Sequence, residues 1–187
     1  KGKQNDYKNN TFQAFLLKII KDNRNKRFLT TKGSFFSNEI NLGLQNKSSY
    51  FDFSNKYFLY KPFGNNVFIN FKYRSEGIIA LEGKTPKSRF KSYGGVKSLR
   101  GYDENQFFSK HYNIFCFESG YNMDNDSQVK FFIDYSSDDL FNINKPKAGY
   151  GFGFYQITNK YLIEAEYALN RFSPTDGKVH FKLVSKF

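Results

Sequence analysis

Few residues in this chain of 187 could perform covalent or metal chemistry. The sequence has two histidines, His111 and His180, and one cysteine, Cys116, so it lacks both a cysteine pair and the ligand spacing of a metal site. Ser98 has no histidine near it in a triad-like motif. The glycine-rich run 149–153 lacks the Gly-x-Gly-x-x-Gly spacing of a dinucleotide site. The sequence therefore predicts no enzyme, no metal and no cofactor, and Cys116 is expected to pack among apolar side chains.

The segment 94–102, Gly-Gly-Val-Lys-Ser-Leu-Arg-Gly-Tyr, could instead form a buried ion pair. An arginine brought into a protein interior loses hydration and needs a carboxylate, ideally in a forked geometry. The candidates to receive Arg100 are Asp134 and Glu118. Asp134 shares one face of its predicted strand with Lys130, opposite apolar side chains, so it should point inward. Alternation leaves the direction of Glu118 open, and residue types alone also permit a solvated loop arginine.

Apolar and polar side chains alternate along most of the chain, most regularly at 66–73, 160–170 and 178–187. This period of two predicts strands with one apolar and one charged face. The segments are about ten residues long, which suits a tilted strand crossing a bilayer. No segment approaches the roughly 18 consecutive apolar residues of a spanning helix. Alternation alone leaves a membrane barrel and a soluble β-sandwich open.

Nine strands are predicted in one unit without an internal domain boundary. They cover residues 12–21, 34–45, 49–60, 66–82, 110–121, 127–136, 147–157, 160–170 and 178–187. The first and third carry apolar runs and could instead be short helices. The gap at about 83–109 is too long for an ordinary hairpin loop, so we expect it to have a function. Glycines in the run 149–153 leave one side of their strand open for something to pack there.

The formal net charge of +12 and the pI of about 9.6 are typical of nucleic-acid-binding proteins. Such binding needs a concentrated basic patch, which the sequence lacks. We therefore expect no nucleic-acid partner and assign the lysines to loops, turns and the charged strand faces.

Nine strands cannot close an antiparallel barrel, which normally needs an even number. The chain also starts without an initiator methionine or signal peptide. We therefore expect residues 1–187 to be the C-terminal part of a longer polypeptide, with further strands upstream of Lys1.

Two motifs stand in a characteristic order. The first begins with Asp-Asn-Arg-Asn at 22–25 and ends with Thr-Lys-Gly at 31–33. The second is the segment 94–102, which ends in Arg-Gly-Tyr. They resemble landmarks in the barrel of the BamA/TamA superfamily of outer-membrane assembly and translocation proteins. In that family the first motif is a periplasmic turn, although Thr30 stands here where proline is usual. The second folds from the outer surface back into the lumen, with Arg100 at its tip.

The rest of the chain continues the resemblance. Residues 113–118 and 131–134 resemble the two strands whose acids receive the loop arginine in the family, although Tyr135-Ser136 replaces the usual Ala-Gly. The family's last three strands are matched by residues 149–152, 163–167 and 180–187.

The resemblance implies an all-β fold, a transmembrane antiparallel β-barrel of which this chain is the C-terminal half, with about nine of 16 strands. It implies a lumen loop motif of Gly94, Gly95, Leu99, Arg100, Gly101 and Tyr102. It implies that Asp134 and Glu118 receive the loop, and that Phe181, Leu183 and Phe187 belong to the C-terminal seam strand and insertion signal. A terminal aromatic at a bilayer interface supports that signal, whereas the alternative is an aromatic that merely ends a strand.

The implied function is folding and inserting other barrel proteins in a bacterial, or alternatively organellar, outer membrane. The implied partners are unfolded outer-membrane clients, periplasmic or lipoprotein accessory subunits and the lipid bilayer, with periplasmic modules upstream. A weakly paired seam between first and last strands would accept a client strand, helped by local membrane thinning. The alternatives are a two-partner secretion transporter, a passive pore and a lysine-rich soluble β-protein.

Overall fold

Nine strands form one antiparallel sheet in the computed structural model, which describes residues 12–45, 48–85, 87–138, 146–170 and 174–185. The chain's strands are β1 (Phe12–Asp22), β2 (Gly33–Gln45), β3 (Ser48–Phe63), β4 (Val67–Ala80), β5 (Lys91–Tyr93), β6 (Phe107–Ser109), β7 (His111–Asn122), β8 (Ser127–Ser137), β9 (Lys147–Ile157), β10 (Tyr161–Leu169) and β11 (Lys178–Ser185). Short 3₁₀ turns lie at Lys87–Arg89 and Pro174–Asp176.

The sheet follows chain order, β1-β2-β3-β4-β7-β8-β9-β10-β11, while β5 and β6 pair separately. The nine predicted strands are confirmed, and the first and third are strands rather than helices. β1 and β11 are the two edges, and their described residues do not pair with each other, so the sheet is open rather than a closed barrel. No helix within the described ranges is long and apolar enough to cross a membrane.

The two faces of the sheet differ sharply in chemistry, as β8 shows. Phe131 and Ile133 are 65% and 59% exposed, whereas Lys130 and Asp134 on the other face are buried. The predicted alternation is therefore confirmed on this strand, with the apolar side chains outside. An outward apolar face and an inward polar face are typical of a sheet that faces lipid.

The curvature of the sheet is shown by the connection between β1 and β2. This connection crosses the concave face and reaches β8, β9 and β10. Leu29 is buried against Tyr155 and Leu162. Its carbonyl oxygen accepts a hydrogen bond of 3.0 Å from Gln128 Nε2. The connection thus ties the first two strands to β8, β9 and β10 at the end of the sheet with the short turns.

Local polar contacts shape this connection. Arg24 forms a fork with Asp22, with Nε 2.8 Å from Oδ1 and Nη2 2.6 Å from Oδ2. These hydrogen bonds raise the pKa of Arg24 above its usual value. The Asn25 side-chain oxygen accepts hydrogen bonds from the backbone N–H groups of Thr31 and Lys32. The motif at 22–25 therefore builds the turn that presents Leu29.

Replacing Leu29 with alanine should lower the unfolding temperature of the full polypeptide in detergent. Removing a buried leucine side chain costs about 2–5 kcal/mol in the free energy of unfolding. The temperature at which the protein loses its folded mobility on a gel measures the effect. The control is Leu16→Ala, because Leu16 is an exposed side chain in β1. Equal shifts in the two variants would contradict the contact between the connection and the far strands.

Candidate functional site

The connection from β4 to β7 folds back over the concave face, and its segment 94–103 is called here the Arg100 loop. Its apolar anchor is Leu99, which is fully buried with Tyr93, Tyr112 and Ile114. This packing places the next residue, Arg100, against the wall of the sheet.

The backbone of the Arg100 loop depends on a tight turn before the arginine. Gly95 donates its N–H to the Leu99 carbonyl oxygen at 2.9 Å. Gly94 has a φ of 119°, in a region that L side chains rarely adopt. The Ser98 hydroxyl accepts a hydrogen bond of 2.7 Å from the Gly94 N–H. The predicted loop glycines thus shape the turn that delivers the arginine.

Arg100 reaches Asp134 through three hydrogen bonds. Its Nε lies 2.7 Å from Asp134 Oδ2, its Nη2 lies 2.7 Å from Oδ1, and its backbone N–H donates to Oδ2 at 3.1 Å. Asp134 is completely buried and Arg100 is 6% exposed. The pair has the forked geometry in which arginine and carboxylate fit best.

Two further carboxylates surround the same guanidinium. Arg100 Nη1 lies 3.1 Å from Glu118 Oε1 and 2.9 Å from Glu166 Oε1. Glu166 also accepts a hydrogen bond from the Tyr155 hydroxyl. The arginine therefore binds acids on β7, β8 and β10 at once.

The remaining surfaces of the guanidinium are also covered. Its carbon lies 3.4 Å from the centroid of the Phe132 ring. Arg100 Nη2 lies 2.9 Å from Cys116 Sγ. The expectation of apolar packing for Cys116 is therefore wrong, because strand alternation turns this side chain toward the charged interior.

A second cation balances part of this negative charge. Lys72 Nζ lies 2.7 Å from Glu118 Oε2, and Asn70 Nδ2 donates to the same oxygen at 3.0 Å. Buried charges are stable only when paired and hydrogen-bonded in this way. The cluster can hold a loop in place. Within the described ranges, no group of three or more histidine, cysteine, aspartate or glutamate side chains is placed so that it could hold a metal ion.

Glycine on β9 allows the Arg100 loop to approach the wall. A Cβ atom added to Gly149 would lie 1.9 Å from the Arg100 carbonyl oxygen. The Tyr102 hydroxyl donates a hydrogen bond of 3.1 Å to the neighbouring Ala148 carbonyl oxygen. The open side predicted for the run 149–153 is thus occupied, at Gly149, by the tip of the loop.

The loop continues to the edge strand β11. The Gly101 N–H donates to His180 Nε2 at 3.4 Å. Lys178 Nζ lies 2.6 Å from Asp103 Oδ1. Residues 100–103 therefore contact each of the strands β7 to β11, from the middle of the sheet to its last described strand.

The Asp103–Lys178 pair gives a charge-swap prediction. Asp103→Lys should increase proteolysis of the loop in the folded polypeptide, because it places two ammonium groups together. The effect on overall stability should stay below about 1 kcal/mol, since exposed pairs contribute little. Adding Lys178→Asp should restore protection. A double variant as sensitive as the single one would rule out this contact.

The structure brings together most of the predicted site residues. Gly94, Gly95, Leu99, Arg100, Gly101 and Tyr102 all belong to the loop, and Asp134 and Glu118 both contact Arg100. Phe181 and Leu183 lie apart from this cluster, on the outer face of β11, and are 68% and 54% exposed. Phe187 lies outside the described residues.

Sequence reasoning missed Glu166, Lys178 and His180 as partners of the loop. All three lie on the charged face of an alternating segment, which is the one available indication. Alternation gives the face but not the neighbour across the interior, so it could not select Glu166 over Glu164 as the third acid.

Comparison with known proteins identifies the family of the chain. A family model described as the Omp85 superfamily domain matches residues 2–187, nearly the whole chain. No curated protein matches the chain. The chain is a member of the Omp85 superfamily.

Proposed function

We propose that this chain forms the C-terminal half of a transmembrane β-barrel in an assembly factor that folds and inserts other outer-membrane β-barrel proteins. The Omp85 superfamily is associated with outer membranes, and its members are generally non-enzymatic factors for protein assembly or transport. The specific assembly role, its clients and its accessory subunits are the part that we infer.

The contact between the Arg100 loop and β11 carries the proposal. β11 is an edge strand, and no described strand pairs with the backbone edge that faces away from β10. Such an edge offers unpaired N–H and C=O groups to which an incoming strand can add. Because the loop binds Lys178 and His180, we infer that its attachment adds to the pairing with β10 in holding this edge.

The outer face of the same strand supports the membrane part of the proposal. Val179, Phe181 and Leu183 are 77%, 68% and 54% exposed. On the neighbouring strand β10, Tyr167 pairs with Val179 and Ala165 pairs with Phe181. An apolar strip of this kind would contact lipid beside the site at which a client strand enters.

The test replaces the native protein with variants and quantifies outer-membrane and secreted proteins by mass spectrometry. Arg100→Ala should lower many β-barrel proteins, whereas the control Lys97→Ala should not, because Lys97 is exposed in the same loop. Loss of one secreted protein alone would favour a two-partner secretion transporter. Normal levels of every other protein, with steady ion conductance, would favour a passive pore.

A further inference from the structure

A cavity of about 770 Å³ lies between the concave face, the β1–β2 connection and the Arg100 loop. Its lining has more cationic than acidic side chains. Among the described residues, nine cationic and six acidic side chains line it. Each acid already accepts a hydrogen bond within the chain. The partners are Arg100 for Asp134, Glu118 and Glu166, Lys182 for Glu164, the Val96 N–H for Glu104, and the Ser54 hydroxyl for Glu76.

Five of the cations have no such partner. Within the described part of the chain, no carboxylate lies within 4.0 Å of their charged nitrogens. They are Arg27, Lys56, Arg74, Lys97 and Lys130. The cavity wall therefore has positive charge left for an external anion.

Arg74 is held in position by a row of aromatic rings. Its guanidinium carbon lies 5.3 Å from the centroid of Phe58. Phe58 stacks on Phe35 with centroids 5.4 Å apart, and the Arg24 guanidinium lies over Phe35 at 4.9 Å. A guanidinium ordered on a ring presents its N–H groups in a fixed plane, so little entropy is lost when it binds an oxyanion.

The two arginines in this row differ in their partners. Arg24 uses its N–H groups on Asp22. Arg74 has no corresponding carboxylate among the described residues, although it also lies over an aromatic ring of this row. Arg74 is therefore an ordered donor group with free capacity.

Lys56 adds a second charge at the same place. Lys56 and Arg74 are paired residues of neighbouring strands, directly opposite each other on the cavity face. Like charges in such pairs destabilise a sheet. An anion bound between them would remove this repulsion.

We propose that Arg74 and Lys56 bind a phosphoryl group in the cavity. Two adjacent cations match the charge of a phosphate dianion, and the planar arginine fork matches its oxygens. Free phosphates and the phosphate of a lipid headgroup offer the same chemistry to this site.

Calorimetric titration of the full polypeptide in zwitterionic detergent tests the proposal, with inorganic pyrophosphate as the soluble probe. One saturable site is expected, weakened about tenfold or more by Arg74→Gln and by Lys56→Gln. The control Lys160→Gln removes an exposed lysine in the β9–β10 turn and should leave binding unchanged. Folded gel mobility of each variant shows that the protein is intact.

A second titration uses micelles containing phosphatidylglycerol. Saturable binding that depends on Arg74 only in this arm assigns the site to a lipid phosphate, and dependence only in the pyrophosphate arm assigns it to a soluble one. Absence of binding in both arms, or equal affinity in Arg74→Gln and Lys160→Gln, overturns the proposal. These outcomes are independent of client assembly, which the experiment on Arg100 measures.

Discussion

An Arg100→Ala variant is expected to lose the attachment of the loop while the nine-stranded sheet still forms. The change leaves Asp134, Glu118 and Glu166 buried with much less positive charge nearby. Breaking a buried ion pair by removing one partner costs on the order of 3–5 kcal/mol. Arg100→Lys should have an intermediate effect, because it keeps the charge but loses the fork toward Asp134.

Cys116 provides a direct measurement of this change. It is the one cysteine of the 187 residues, and its sulfur lies 2.9 Å from Arg100 Nη2 in a buried position. A water-soluble maleimide should label Cys116 slowly in the native protein and much faster in Arg100→Ala. Mass spectrometry of the peptide between Lys110 and Lys130 quantifies the label. The control Lys97→Ala should label at the native rate.

A double-mutant cycle tests whether the ion pair is the cause. If Arg100 and Asp134 act as a unit, the combined alanine variant should lose less stability than the two single variants together. Strictly additive losses, or native labelling of Cys116 in Arg100→Ala, would show that the loop is held by other contacts.

The inward direction of the Asp134 side chain and its cationic partner could be predicted from sequence because two constraints agreed. Strand alternation placed it on the inward face, and the cost of burying a charge required a cation nearby. Glu118 had only the second constraint, so its direction stayed open until the register with Asn70 was known. The face on which an isolated acidic side chain lies is therefore predictable where apolar and polar residues alternate regularly along its strand.

Cys116 was assigned wrongly, and β1 was predicted as a strand with a short helix as the alternative. Cys116 was assigned by its apolar character, whereas its paired residues are Lys72 and Asp134, which fix it on the charged face. In β1, Phe15 and Leu16 are exposed on opposite faces at the edge of the sheet. An edge strand with apolar residues on both faces loses the period of two that identifies strands.

Contacts across the interior were beyond sequence reasoning. Leu29 packs against Tyr155, which is far from it in the chain, and nothing in either local pattern names the other. The same holds for Glu166 and Arg100. Periodicity describes each strand separately, whereas the curvature of the sheet decides which side chains meet across it.

A Gly149→Ala variant should displace the Arg100 loop without changing any charge. The added Cβ would lie 1.9 Å from the Arg100 carbonyl oxygen, which is a backbone atom and cannot turn aside as a side chain does. Either the loop leaves the wall or β9 shifts. The first course is favoured, because β9 is hydrogen-bonded along both of its edges. Labelling of Cys116 should rise toward the rate in Arg100→Ala, and client assembly should fall with it.

Gly153→Ala is the matched control, on the same strand and the same face. Its Cβ would meet side-chain atoms of Glu166 and Tyr155 at 2.9 and 3.1 Å, and the Arg100 loop is absent from its nearest neighbours. Faster labelling in Gly149→Ala than in Gly153→Ala would show that the close approach of the loop at Gly149 is needed to hold it, even when all its charged partners are present. Equal labelling in both would mean that displacing Glu166, a partner of Arg100, frees the loop as much as the contact at Gly149 does, and would contradict a specific role for Gly149.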